Sequence, residues 1–365
     1  YIASIPTADI NRYYVRKNIA GTNIEVSHPK DNIWDIGGNP SLDLNFAKNK
    51  SLIDGVSGNN LITFTRNSIG TYVGEDGLIK TAAVNEPRFD HNPMTGESLG
   101  LLVEEQRTNL VSNNSSNSAG FETSNTTQMY GIAPNGTKNS VRWNPPNGFT
   151  YIRTFFPVTQ GVQYTLSIYV KGQSNIQITP DGSLGGGLGY GSIDLTTGVT
   201  TGYSEGVQVT QYQNGWRRIS FQRTSSSTGT GQLGFTTNNN IAADIEFWGP
   251  QVEVGSFSTS YIPTEGSAVT RSADVASITG TNFSSWYNNN EGTFLTNMAL
   301  GYTSNAGNPY TFGGVYYNPV IPAIRTLAGV NIISGGLPNS QTTASKVALG
   351  LKPGDYSMYV NGTSG

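Results

Sequence analysis

SLDLNFAKNKSL at residues 41–52 and LITFTRNSIGTYVGEDGLIKTAAVNEPRFDHNPMTGESLGLLVEEQRTNL at residues 61–110 decide the fold class. Leu61 to Thr65 and Gly70 to Val73 are rich in β-branched and aromatic residues, which suit a pleated, half-buried surface. Glu75-Asp76-Gly77 is a turn with glycine where a positive φ is needed, and Leu78-Ile79-Lys80 runs back, so this stretch is expected to form one hairpin. Asp90 to Gly96, DHNPMTG, offers an Asx-type turn ahead of the apolar run Leu99 to Val103, which predicts a second hairpin.

Outward from this stretch, from about Thr108 to Glu265, apolar and polar residues alternate sharply. In Tyr164 to Lys171 the even positions are Tyr, Leu, Ile and Val and the odd ones Thr, Ser, Tyr and Lys, so one face is expected in a core and the other mostly in water. Ile219 and Phe221 alternate with Arg218, Ser220 and Gln222 in the same way. Asp194-Leu-Thr-Thr-Gly198 repeats the turn pattern of Asp90 to Gly96. Several strands at short spacing without a helical stretch describe a β-sandwich. Ala243, Ile245 and Phe247 share a parity that Val252 and Val254 break, so a β-bulge is expected at Gly249-Pro250.

Composition agrees with an all-β chain. Its 365 residues include 45 Gly and 17 Pro, which break helices, and only 12% are charged. The length allows two or three domains with cores of their own. A formal net charge of −3, with Arg217-Arg218 and Arg16-Lys17 as the only adjacent basic pairs, argues against a nucleic-acid partner, whose phosphates call for clustered cations. Without cysteine there are no disulfides or thiolate metal sites, so stability must come from packing and association of copies. No apolar run reaches the length of a membrane span and no signal-peptide pattern is present, so no membrane insertion is expected.

At the N-terminus, Tyr13-Tyr14-Val15 and Asn23 to Val26 read as strands separated by Asn18 to Gly21, and Trp34 to Gly38 as a turn. After Arg271 a new unit is expected. Phe294, Met298, Leu300 and Tyr302 keep one parity, as do Val347, Leu349 and Leu351, and then Tyr356, Met358 and Val360. Asn361-Gly362 is a strong hairpin signal. Only Thr363-Ser364-Gly365 follow it, which leaves no full return strand and suggests a polypeptide that continues.

FTRNSIGTYV and the string from NEPRFDHNP to EEQRTNL resemble a module that recurs in tailed-bacteriophage virion fibre and head-spike proteins. YTLSIYVKG, NGWRRISF and IEFWGPQVEVGSFSTSYIPTEGSAVTRSAD resemble the strands and closing tail of the carbohydrate-binding-module-like jelly roll that follows this module. EGTFLTNMALGY and KVALGLKPGDYSMYVNGT resemble strands of a concanavalin or laminin-G-like jelly roll. The resemblance implies a virion-attachment segment at 1–40, a β-hairpin fibre module at 41–107, the carbohydrate-binding-like jelly roll at 108–265 and an incomplete second jelly roll at 266–365. It also implies a virion location, other virion proteins as partners and a homotrimer, the partner copies covering exposed strand edges. Carbohydrate-binding jelly rolls often hold a structural calcium through an acidic residue late in the last strand. Here Gly249-Pro250 stand near that place, with Asp244 and Glu246 earlier, so no cofactor is expected.

Chemistry-bearing constellations are sparse. His28 and His91 sit in turn-like contexts and read as surface loop residues, with nothing to bring them together on a metal. No G-x-S-x-G elbow occurs. Glycosidases of concanavalin-like folds often carry an alternating E-x-D-x-E strand, which is absent. Glu104-Glu105 are adjacent, expected on opposite faces of a strand, and Asp244 and Glu246 share a face beside an exposed Trp248. Neither forms a recognisable catalytic pair, so no enzyme is expected. The glycine-rich Gly182 to Gly191 precedes a strand pattern, where a phosphate cradle would need a helix. Trp143, Phe149, Tyr151 and Tyr190 lie in or beside Asn, Gly and Pro-rich loops and are the candidates for stacking on sugar rings. Packing or a subunit interface is an equally good reading of Trp143 and Tyr151. Trp216 and Trp248 fall in framework strands. The expected function is adhesion to host-surface glycan. The alternatives are a purely architectural virion protein and a depolymerase whose active domain follows residue 365.

Overall fold

The computed structural model describes residues 40–112, 121–122, 131–143, 151–185, 191–203, 206–236 and 244–288, and outside them the backbone of strands at 123, at 129–130, between Tyr14 and Ser27 and between Gly292 and Ser364. It is nearly all β, and its two described α-helices, Phe46–Asn49 and Thr281–Ser284, are single turns.

Two antiparallel sheets make the sandwich. One runs Met129–Gly131, Ser140–Trp143, Ile245–Val254, Gln163–Gly172, Trp216–Thr224 and Gln208–Gln211. The other runs Thr200–Thr201, Ser192–Asp194, Asn175–Ile178, Gly229–Thr236, Tyr151–Val158 and Glu122–Thr123, with Asp181–Gly182 also paired to Gly229–Thr236. Inward residues of both sheets, among them Ile152, Leu166, Ile168, Ile219, Leu233 and Phe247, form one fully buried core. Each such side chain contributes about 1.5–3 kcal/mol of transfer free energy.

The bulge lies where the parity break placed it. Ser167 pairs with Gln251 and Tyr169 with Trp248, so Ile168 alone faces both Gly249 and Pro250. Gly249 takes φ 60°, and Pro250, which has no N–H to donate, sits where the ladder is interrupted. Asn109 repairs the gap: its Nδ2 donates to the carbonyls of Pro250 (3.3 Å) and Ile262 (3.1 Å), and its Oδ1 accepts from the Val252 amide at 3.0 Å. Val252 thereby returns to the core, whereas Val254, at the strand's end, is exposed.

The expected wet face of Tyr164 to Lys171 is largely covered. Thr165, Ser167 and Tyr169 are buried along with the even positions. Over this face a second apolar cluster joins Val73 and Ile79 to Tyr169, Tyr212, Trp216, Trp248 and Tyr261. Trp248 is therefore buried, not exposed, with its ring 4.2 Å from that of Tyr261 and its Nε1 donating to Asn139.

The covering layer is the hairpin module. Gly70–Val73 pairs with Ile79–Ala82 around Gly77, and Arg88–His91 with Ser98–Leu102, giving both expected hairpins. Thr63–Thr65 lies outside the first hairpin and pairs instead with Val275–Ser277, while Arg107–Asn109 pairs with Val269–Arg271. The chain beyond 265 thus closes back onto the module before anything new begins. In the second turn the capping side chain is Asn92, not Asp90. Its Oδ1 accepts from Met94 and Thr95, as Asp194 accepts from Thr196 and Thr197. His91, expected on the surface, is buried on its strand, with Nδ1 2.9 Å from the Val73 carbonyl.

A buried ion cluster ties module and tail together. Asp274 bonds Arg66 at 3.0 Å through one oxygen and Arg88 through the other. Arg88 also donates to Glu104 and Ser260, each at 2.8 Å, and Arg271 lies 3.5 Å from Glu104. Residues 103–106 form no strand, so Glu104 turns inward to this cluster and Glu105 outward. Burial alone would raise the Glu104 carboxyl, but Arg271, Arg88 and the Ser260 hydrogen bonds outweigh it and hold it below its usual range.

Beyond the sandwich, Tyr14–Lys17 pairs with Ile24–Ser27. At the other end Gly292–Met298, Ser345–Lys352 and Asp355–Val360 form consecutive antiparallel neighbours. Phe294, Leu349 and Met358 stand in one row, and Val347 stands opposite Val360. The hairpin at Asn361-Gly362 does return, since Thr363–Ser364 pairs back on Asp355–Val360.

One carboxyl in the module makes stability depend on pH. Asp90 accepts from the Val73 amide at 2.7 Å, and burial, aided by nearby Glu104, pushes its pKa up to about 6. Between the unfolded value of 3.8 and about 6 the folded state holds the extra proton, so this group makes stability fall as pH rises through that window. Asp90→Asn keeps an acceptor without the charge. It should be more stable than wild type at neutral pH by about 2 kcal/mol, with the gap closing near the unfolded pKa. Urea midpoints at the two pH values measure this, and a gap that does not change would rule out the buried charge as its cause.

Candidate functional site

With the six-stranded sheet covered by the module, the outer face of the seven-stranded sheet is the large sheet surface left open among the described residues. It is built by the strand Tyr151–Val158, sequence YIRTFFPV, whose even residues Ile152, Phe156 and Val158 enter the core while Tyr151, Arg153, Phe155 and Pro157 point out. Same-face neighbours on a strand lie about 6–7 Å apart, close enough for long side chains to stack. The Arg153 guanidinium accordingly sits over the Tyr151 ring at 4.4 Å and the Phe155 ring at 5.2 Å. Phe155 is 42% exposed, high for an aromatic with no described apolar cover.

Neighbouring strands fix this ladder. Glu122 stands opposite Arg153 in register and accepts from its Nη2 at 2.8 Å and its Nε at 3.2 Å, and from the Tyr151 hydroxyl at 3.4 Å. The Arg153 hydrogen bonds hold the Glu122 carboxyl below its usual range and raise the guanidinium above its own. On the other side Gln232 faces Phe155; its Oε1 accepts from Arg153 Nη1 at 3.4 Å and its Nε2 donates to the Thr179 carbonyl. Gly234 faces Arg153 and presents no side chain. A Cβ there would lie 2.9 Å from both the Gln232 amide and Thr179, so glycine lets the amide lie flat. Gln177 continues the row beyond Thr236. The result is an exposed surface of two rings, a guanidinium over both and side-chain amides alongside, chemistry suited to an apolar-faced, hydroxyl-rich ring.

The sequence candidates separate sharply. Tyr151 is on this face, half-buried, as the first residue of its strand. Trp143 is not a loop residue: it ends the strand Ser140–Trp143, is 1% exposed, and packs in the core 5.9 Å from the Phe247 ring. Its parity with buried Val141, across half-exposed Arg142, turns it inward. Phe149 and Tyr190, like His28, lie outside the described residues. Arg153, Phe155, Gln232, Gln177 and Glu122 escaped sequence reasoning, although the alternation of residues 151–158 carries the signal for the first two.

A cavity of about 360 Å³ lies between module and sandwich, lined by Leu78, Ile132, Lys171, Tyr212, Gln213 and Trp216. Its rings are already engaged. Trp216 Nε1 donates to the Ile132 carbonyl and Tyr212 packs edge-on to Tyr169, so the cavity is a seam between packed units. Of the acids ahead of Gly249-Pro250, Asp244 forms a two-pronged pair with Arg142, and Glu246 accepts from Ser140 and faces Lys171. Among the described residues no group of three or more His, Asp and Glu converges on a metal position.

No family model matches the chain, and no curated protein matches it. Among solved structures it is similar to the enzymatically active domain of tailspike protein 4 of bacteriophage CBA120, with a TM-score of 0.29, 13% identity, and coverage of 40% of this chain and 21% of that one. It thus spans about a fifth of that chain. It is also similar to TmCBM61 in complex with β-1,4-galactotriose (TM-score 0.28, 11% identity, 40% of this chain and 99% of that one). A third similar structure is the CBM22-1 xylan-binding domain of Xyn10C from Paenibacillus barcinonensis (TM-score 0.28, 11% identity, 41% of this chain and 94% of that one).

Core and face aromatics should part company on truncation. Trp143→Ala is expected to lower stability by about 3–5 kcal/mol, and Tyr151→Ala by less than about 1 kcal/mol. Denaturant midpoints of the two variants test the assignment, which equal losses would overturn.

Proposed function

We propose that this chain is a component of a tailed-bacteriophage fibre or spike and that its sandwich attaches the particle to host-surface glycan through the outer face of the seven-stranded sheet. The observation that carries the glycan reading is the Tyr151, Arg153 and Phe155 ladder, an exposed aromatic surface flanked by amides on a rigid sheet. The virion reading rests on the fibre-module and closing-tail strings, with residues 1–40 as the link to other virion proteins and the particle assembled in the host cytoplasm. Attachment is non-covalent. The acid beside the aromatic ladder, Glu122, is engaged by Arg153 and so is poorly placed as a proton donor or nucleophile. One such face binds weakly, roughly in the millimolar to micromolar range, and several copies on one particle multiply it.

Titrating the protein with fragments of host-surface polysaccharide should show saturable binding. Tyr151→Ala and Phe155→Ala should each weaken it roughly tenfold, with the denaturation midpoint little changed. Indifference of the wild type to every host glycan would sink the reading.

The architectural reading draws on a different surface. Exposed apolar side chains concentrate in the hairpin module, with Ile69, Val84, Met94, Leu99 and Val103 among them. Such residues together with open strand edges favour contact with further subunits, and we assign them to a homotrimer that carries the glycan faces. Light scattering of the full chain at micromolar concentration should give the mass of three copies; a monomer would count against it.

A further inference from the structure

We infer that Glu122 sets the charge selectivity of the sheet face, holding Arg153 so that the face accepts uncharged glycans and turns away anionic ones. The inference rests on the glycan-binding reading of that face.

The described charged residues on the face are Glu122, Arg153, Asp181 and Asp194: three carboxylates and a single cation. Asp194 is engaged in its own turn, accepting from Thr196 and Thr197, and Asp181 is exposed. A uronate or sulfate group arriving here meets net negative charge. The guanidinium that would attract it already donates Nε and Nη2 to Glu122 and stacks its plane on two rings. Binding an anion through Arg153 would require displacing a carboxylate anchored in register on the next strand. A neutral sugar meets no such competition. It needs only the outward ring surface and the amides of Gln232 and Gln177, and neither amide bonds Glu122.

Glu122 is thus a positioning residue with two effects from one contact. It pairs with the cation, and by accepting from its Nε and Nη2 it keeps the guanidinium over the rings. Glutamine at this place retains an acceptor and the strand register but removes the charge. Arg153 then loses its paired carboxylate, with Asp181 the remaining charge nearby, and its Nε and Nη2 can receive a sugar carboxylate.

The test is a titration of the full-length protein with a panel of neutral hexasaccharides, including cellohexaose and maltohexaose, and with hexagalacturonate as the anionic probe. Wild type should bind within the neutral set and show no measurable affinity for hexagalacturonate. Glu122→Gln should gain at least roughly tenfold in hexagalacturonate affinity, and the gain should vanish at about 0.5 M salt. Adding Arg153→Gln should abolish the gain, and Glu122→Asp should keep the wild-type preference. If Glu122→Gln proves poorly folded, the wild-type preference and the binding of Glu122→Asp still decide. A wild type that prefers hexagalacturonate, or a folded Glu122→Gln with unchanged preference, overturns the inference while leaving glycan binding intact. Failure of the wild type to bind any neutral or anionic glycan removes the glycan reading and this inference with it.

Discussion

Asp274, buried between Arg66 and Arg88, is the contact on which the rest of the structure depends. Taking these charges out of water is costly, and only a network that satisfies each oxygen offsets it. Asp274 has that network: besides the two guanidinium groups, one oxygen accepts from the Glu104 amide at 2.8 Å. The cluster draws residues 66–104 and residues 260–274 to one point. Without it the module would be a set of two-stranded ribbons, which are marginal alone. With it the ribbons form a layer stiff enough to bury Tyr169, Trp248 and Tyr261.

That layer also decides where a ligand can go. A sandwich has two outer faces, and here one is roofed by module and tail. Tyr169 and Trp248 would be a plausible stacking pair on an uncovered sheet, but they are structural because the module lies over them. The opposite sheet carries no such roof among the described residues, so its outward side chains stay available. The location of the candidate site therefore follows from the packing of a segment that contributes no residue to it.

Much of this was legible in the sequence, where local rules act alone. Both hairpins, the bulge at Gly249-Pro250 and the row of Val347, Leu349 and Leu351 follow from period-two patterns and turn chemistry. What escaped depends on contacts distant in sequence. Nothing near Tyr169 announces that a hairpin a hundred residues earlier will cover it. Glu104 looks like a surface acid until Arg88, Ser260 and Arg271 converge on it. Trp143 is a different case. The pattern of Ser140–Trp143 already turned it inward with Val141, but the adjacent Asn-Pro-Pro-Asn-Gly run drew it into the loop. Parity within the strand outweighs the character of the neighbouring segment.

On the proposed reading, one strand serves stability and recognition at once. Ile152, Phe156 and Val158 fasten Tyr151–Val158 to the core, and the pleat then holds Tyr151, Arg153 and Phe155 in line without loop ordering. Little conformational entropy is left to lose on binding, so even a small stacked area can yield measurable affinity. Open and preorganised, such a surface gains more from repetition than from depth. Copies displayed together meet a repeating polymer with several weak contacts, and dissociation then requires all of them to release. On the proposed reading, association of copies through the module's exposed apolar residues would turn a weak site into an effective one.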